Sequence, residues 1–81
     1  MYYLYILKSV KDNKYYIGST SNIEKRMEYH NKGYSKATKY RRPLKLVYCE
    51  SYDTKTEALK REILIKKYKS SKYIKYLIEK V

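Results

Sequence analysis

The sequence predicts an α+β domain in which a three-stranded sheet is covered by helices, in the order β-β-α-β-α-α. Three observations carry this. Two short stretches rich in tyrosine and isoleucine, 2–8 (YYLYILK) and 15–20 (YYIGST), flank Asp12 and Asn13, a pair with turn chemistry. A third apolar stretch, 44–51 (LKLVYCES), follows the single proline, Pro43. Two capping-box patterns, 21–24 (SNIE) and 54–57 (TKTE), open helices on either side of it.

Taken in order, the first two stretches read as a β-hairpin. Alternation puts Leu4 and Ile6 on one face of the first strand and Tyr3, Tyr5 and Leu7 on the other. A loop centred on Asp12-Asn13 then groups Tyr5, Leu7, Ser9, Tyr16, Gly18 and Thr20, with Leu4, Ile6, Tyr15 and Ile17 on the reverse, more apolar face. In that register Tyr5 and Tyr16 stand four residues out of step, roughly 13 Å along a strand. A common site for them needs an asymmetric loop or a bulge. Gly18 leaves room for a close approach on the two-tyrosine face.

Ser21 is the expected cap of the first helix, which begins at about residue 22 and ends near Gly33. Residues 33–43 form a polar, basic loop, and 44–51 the third strand. Thr54 caps a helix that runs to about Tyr68, with Ala58, Leu59 and Ile65 as its apolar stripe. Ser70 or Ser71 caps a last helix whose apolar side carries Tyr73, Ile74, Leu77, Ile78 and Val81.

With 81 residues the chain is expected to form one domain, 1–81, with a compact core. No apolar run has the length of a membrane span, and MYYLYILKS lacks a secretory layout, so a cytoplasmic protein without membrane contact is expected. The lone Cys49 excludes an internal disulfide and, in its apolar setting, is expected in the core. Twenty Lys and Arg against eight Asp and Glu give a net charge of +12, a field that attracts nucleic acid. The composition also fits an AT-rich coding bias, which favours Lys, Tyr, Ile and Asn.

Arg26 and His30 lie one helical turn apart on the same face, beside the buried-face residues Ile23 and Met27. An arginine fork grips phosphate with a permanent charge, and a histidine passes protons near neutral pH. Glu62 sits beside the apolar stripe of the second helix, where a carboxylate can enter a cleft and hold a hard cation such as Mg²⁺. The pattern for a zinc site is missing, as are a glycine-rich phosphate loop and an acidic cluster for two metals. In the basic loop, Lys36, Lys39, Arg41 and Arg42 are candidate phosphate contacts.

As an ordered set these residues resemble the GIY-YIG nuclease superfamily. Tyr16, Ile17 and Gly18 reproduce its second signature. Tyr3, Leu4 and Tyr5 stand at the first, with the key tyrosine eleven residues before Tyr16. Arg26 follows Tyr16 by ten residues and His30 by four more. The stretch TKYRRPLKLVYCESYDTKTEALKREILIKKY is similar to small stand-alone members, with Glu62 at their metal-binding glutamate. Tyr3 replaces the glycine of the first signature, and Leu4 its isoleucine.

The resemblance implies an antiparallel sheet and hydrolysis of DNA phosphodiesters by Tyr5, Tyr16, Arg26, His30 and Glu62, lining one concavity with Glu62 on the same side of the sheet as Arg26. It implies one Mg²⁺ or Mn²⁺ per site on Glu62, with Gly18 near the nucleic acid, and no small-molecule cofactor. DNA is the expected partner, RNA is also open, and the chain is expected as a monomer or weak dimer. A structure-dependent or non-specific substrate fits a lone domain, and a role in DNA repair is one of several open. The rival reading is a non-catalytic, basic nucleic-acid-binding module on the same fold, in which tyrosines serve as stacking platforms.

Overall fold

The computed structural model describes residues 1–68 and 71–79. Strands β1 (Tyr2–Ser9) and β2 (Tyr15–Thr20) precede helix α1 (Ile23–Asn31). A 3-10 turn (Lys39–Arg41), strand β3 (Leu44–Tyr52), α2 (Lys55–Tyr68) and α3 (Ser71–Glu79) follow. The α+β class and element order are as expected. The sheet is antiparallel throughout, in the order β2-β1-β3. The Ser70 cap and Val81 lie outside the described residues; α3 starts at Ser71.

Both faces of central strand β1 are buried, and each holds its own cluster. Leu4 and Ile6 pack with Ile65 of α2 and Ile74 and Leu77 of α3, flanked by Tyr15 and Ile17. Tyr5 and Leu7 pack with Leu44, Tyr16, Ile23 and Met27 beneath α1. The strand alternation is therefore as read, but the tyrosine face is a second small core. Helix α1 is tied down at its end by Asn31, whose side chain donates to the Leu44 carbonyl (3.2 Å) and accepts from the Leu44 amide (2.9 Å).

The hairpin register corrects the expected one. Tyr5 pairs with Gly18 and Leu7 with Tyr16, so the loop is centred between Lys11 and Asp12, one position earlier. Ser9 is the physical reason. Its buried hydroxyl accepts from the amides of Lys11 (3.1 Å) and Asp12 (3.2 Å) and donates to the Arg41 carbonyl (2.6 Å). Asp12 Oδ1 takes the Lys14 amide (3.0 Å), and Asn13 adopts φ 60°. The shift is even, so every residue keeps its face. Tyr5 and Tyr16 are now two residues out of step, roughly 7 Å along the strand.

Asn22, not Ser21, caps α1, because its side chain reaches the Lys25 amide at 3.1 Å. The helix ends through Lys32 into Gly33, whose φ of +83° is left-handed. Thr54 accepts the Glu57 amide at the start of α2, as its capping box predicts. Cys49 is exposed and not in the core; it sits on edge strand β3, beyond the cover that α1 gives.

The stripe of α2 also differs from the expected one. Ala58 and Ile65 are buried, but Leu59 is 44% exposed. The inward face passes between them through Arg61 and Glu62, both half-buried. Arg61 grips Glu50 of β3 with two nitrogens, at 3.0 and 3.2 Å. Burial pushes the Glu50 carboxyl up, but Arg61 and the hydroxyls of Tyr48 and Tyr52 outweigh it, and the group ends below its ordinary value. On the other side Glu62 meets β2.

Candidate active site

Residues 15–19, all of β2 but its last residue, line a concavity of about 440 Å³ from both sides of the strand. It therefore lies along the outer edge of the sheet, since β2 is an edge strand. Tyr5, Tyr16, Arg26, His30 and Glu62 all border it, together with Gly18. They do not share a side of the sheet. Tyr5, Arg26 and His30 stand on the α1 face, whereas Glu62 comes from α2 on the opposite face and meets them around the edge of β2. The expectation of a single side is corrected; the single concavity holds.

On the α1 side the residues form a hydrogen-bonded chain. Arg26 Nε donates to the Tyr5 hydroxyl at 3.2 Å, and the same hydroxyl lies 3.1 Å from His30 Nε2. His30 Nδ1 lies 2.9 Å from Thr38 Oγ1. One helical turn between Arg26 and His30 is what lets both reach one phenol. His30 is buried, and desolvation followed by the charge of Arg26 holds its imidazole below the ordinary value of 6.5. It is therefore neutral at neutral pH. The Tyr29 ring meets His30 edge-on at 5.7 Å and lies under the Arg26 guanidinium at 4.6 Å.

Gly18 is required by Tyr5. A Cβ built at Gly18 would stand 2.4 Å from the Tyr5 hydroxyl, so the room that glycine leaves is filled by the protein's own phenol. Burial raises the Tyr16 phenol above its ordinary value of 10, so Tyr16 keeps its proton.

On the α2 side Glu62 Oε1 accepts from the Ser19 hydroxyl at 2.8 Å, and Oε2 from Lys66 Nζ at 2.7 Å. Among the described residues no three His, Cys, Asp or Glu side chains gather as a metal cage. A single half-buried carboxylate beside a hydroxyl still fits a hard cation such as Mg²⁺, which takes one or two carboxylates and fills its shell with water and phosphate oxygens. Glu62, beside Ser19, is the one carboxylate among the described residues that line the concavity.

The basic loop divides. Arg41 pairs with Asp12, and Arg42 donates to the carbonyls of Lys39 (2.8 Å) and Asn31 (3.4 Å) while packing over Gly33. These two arginines brace the loop against the hairpin and α1. Lys36 and Lys39 are exposed. Sequence reasoning passed over Ser19, Thr38 and Lys66. Only Lys66 had a signal, four residues after Glu62 on one helix.

The chain, a β2-β1-β3 sheet between two helical layers, matches the family model of the GIY-YIG catalytic domain over residues 1–75. The chain belongs to that family. The domain is typical of endonucleases and implies nucleic-acid binding in general. The chain is similar to a UPF0213 protein of Staphylococcus saprophyticus, 49% identical over 79 residues that cover 96% of this chain and 95% of the relative. It is also similar to a UPF0213 protein of Staphylococcus aureus, 44% identical over 80 residues that cover 98% and 96%. The solution NMR structure of the UPF0213 protein BH0048 from Bacillus halodurans matches with a TM-score of 0.58 and 32% identity, over 98% of this chain and 84% of that one. Among the described residues no helix is long and apolar enough to cross a membrane.

Proposed function

We propose that this chain is a divalent-metal-dependent nuclease that hydrolyses DNA phosphodiester bonds without reading a defined sequence. The observation that carries the reading is the Arg26–Tyr5–His30 chain facing the Glu62 carboxylate across one concavity. Net charge +12 supports a polyanionic substrate held through its phosphates, and phosphate contacts carry no sequence information.

Each residue has a distinct task in this reading. Tyr5 positions the attacking water and takes its proton, and neutral His30 accepts the phenol's proton in turn. Arg26 uses Nε on Tyr5, so its two terminal amino groups meet the phosphate oxygens as negative charge grows there. Tyr16, which keeps its proton, donates to the phosphate. A divalent cation at Glu62, when bound, supplies Lewis-acid stabilisation of the leaving 3′-oxygen.

The test is cleavage of single-stranded, duplex, flapped and branched DNA with Mg²⁺ or Mn²⁺, against EDTA. Metal-dependent cleavage that falls about 10²–10³-fold in Arg26→Ala, with substrate affinity retained, is the expected result. Binding with no cleavage under any metal would refute the nuclease and leave the binding module.

A further inference from the structure

Thr38 lies in the basic loop 33–43, between Ala37 and Lys39. It is 1% exposed, borders the concavity, and its hydroxyl is the partner of His30 Nδ1 at 2.9 Å. The loop holds it firmly. The Thr38 amide donates to the Ser35 carbonyl (3.2 Å), and the Thr38 carbonyl accepts the Arg41 amide (3.0 Å). Arg41 is itself anchored on Asp12 and, through its carbonyl, on Ser9. The hairpin turn thus sets where this hydroxyl stands.

We propose that Thr38 is a positioning residue that fixes His30 in the tautomer protonated at Nδ1, leaving Nε2 as the acceptor of the Tyr5 hydroxyl proton. The direction follows from Arg26. A guanidinium N–H already enters the Tyr5 oxygen, which makes the phenol O–H a stronger donor and a poorer second acceptor. A protonated Nε2 would aim a second N–H dipole at the same oxygen and turn the phenol's own proton away from the imidazole. With Nδ1 protonated, donation runs one way from Arg26 to Tyr5 to His30 to Thr38, and each bond polarises the next. The charged and titratable groups against His30 are Tyr5 of β1 and Arg26 and Tyr29 of its own helix. The loop presents it the uncharged Thr38.

The catalytic consequence rests on the nuclease reading; the tautomer does not. In the proton step the Tyr5 O–H bond breaks and its proton goes to His30 Nε2. The electron pair stays on the phenolate oxygen beside Arg26, and the imidazolium keeps its Nδ1–H on Thr38. The phenolate takes the proton of the attacking water as the water's oxygen bonds to phosphorus and the bond from phosphorus to the 3′-oxygen breaks. The leaving oxygen takes a proton from solvent, and His30 returns its Nε2 proton to solvent.

His30 is the only histidine, so ¹⁵N-histidine labelling reports one ring. At a pH where the ring is neutral, the wild type is expected to show a protonated Nδ1 and a bare Nε2. Thr38→Val keeps the shape and removes the acceptor, and is expected to move the proton to Nε2; Thr38→Ser is expected to restore Nδ1. A wild type protonated at Nε2, or a Thr38→Val protein still protonated at Nδ1, overturns the proposal. If Thr38→Val does not fold, the wild type and Thr38→Ser decide: Nδ1–H in both supports it, and Nε2–H in either overturns it. In cleavage, Thr38→Val is expected to lower kcat by about 10–10²-fold with KM little changed, and Thr38→Ser to recover it. An unchanged kcat in a protein whose tautomer has moved overturns the catalytic role. Absence of cleavage in the wild type refutes the nuclease reading, and the spectrum still judges Thr38.

Discussion

Gly18→Ala tests how tightly the Tyr5 phenol is held. The added methyl would lie 2.4 Å from the Tyr5 hydroxyl oxygen, 2.6 Å from Cζ and 3.0 Å from Cε2. Atoms of this kind sit comfortably at about 3.5 Å, so the ring or the strand must yield by about 1 Å. The ring has little freedom to do so. Tyr5 is 4% exposed, and its hydroxyl is engaged by Arg26 and His30. Overpacking of this size costs about 1–3 kcal/mol. In a domain of this length that lowers Tm by about 4–8 °C per kcal/mol.

The clash is separated from any backbone effect by repeating the substitution in a Tyr5→Leu background, which lacks the distal ring. Urea unfolding of the four proteins gives the coupling, which is expected at about 1–2 kcal/mol with m unchanged. Costs for Gly18→Ala that agree within about 0.5 kcal/mol in the two backgrounds would refute the account. The glycine would then serve the strand and not the phenol.

Glu62→Gln keeps shape and loses charge, so Mn²⁺ binding followed by its EPR signal is expected to vanish, with Tm near the parent's because the Lys66 pair is partly exposed. His30 has a folded value below its ordinary 6.5, so its share of stability is complete above pH 6.5. That share is lost as pH falls below 6.5, where the unfolded chain protonates first; urea midpoints across pH 5–8 for wild type and His30→Gln are expected to converge toward the acid end. Arg41→Glu is expected to lower the urea midpoint by placing a carboxylate beside Asp12, whereas Lys36→Glu with Lys39→Glu is expected to leave it unchanged and to weaken DNA binding and its salt slope. Binding lost equally in both, with both midpoints intact, would show that the arginines face the nucleic acid.

What could be read from the sequence was what local geometry dictates. Arg26 and His30 share a face because a helix turn is four residues, and Tyr5 and Tyr16 share one because strand alternation survives an even shift of register. The register itself was hidden, since Ser9 sets it through a bond to a carbonyl 32 residues away. Thr38 and Ser19 carry no pattern; only the fold brings them to His30 and Glu62. Arg41 and Arg42 were legible as charge, but their partners within the fold, Asp12 and the carbonyls of Lys39 and Asn31, were not. Glu62 was placed beside the right stripe, but the stripe runs through Arg61 and not Leu59, and no local rule says on which side of a sheet a helix will pack.

The two apolar clusters give the site two separate mountings. Tyr5, Arg26, His30 and Thr38 hang on the one beneath α1, and Ser19, Glu62 and Lys66 on the one beneath α2 and α3, with β2 as the partition. Local opening of a domain proceeds by cooperative units, and units that follow the two clusters would divide the site. Loosening α2 and α3 would carry the carboxylate away while the phenol, guanidinium and imidazole stay in register. Loosening α1 would do the reverse. Hydrogen exchange is then expected to read the two halves as separate clocks, one for the amides of α1 and one for those of α2 and α3.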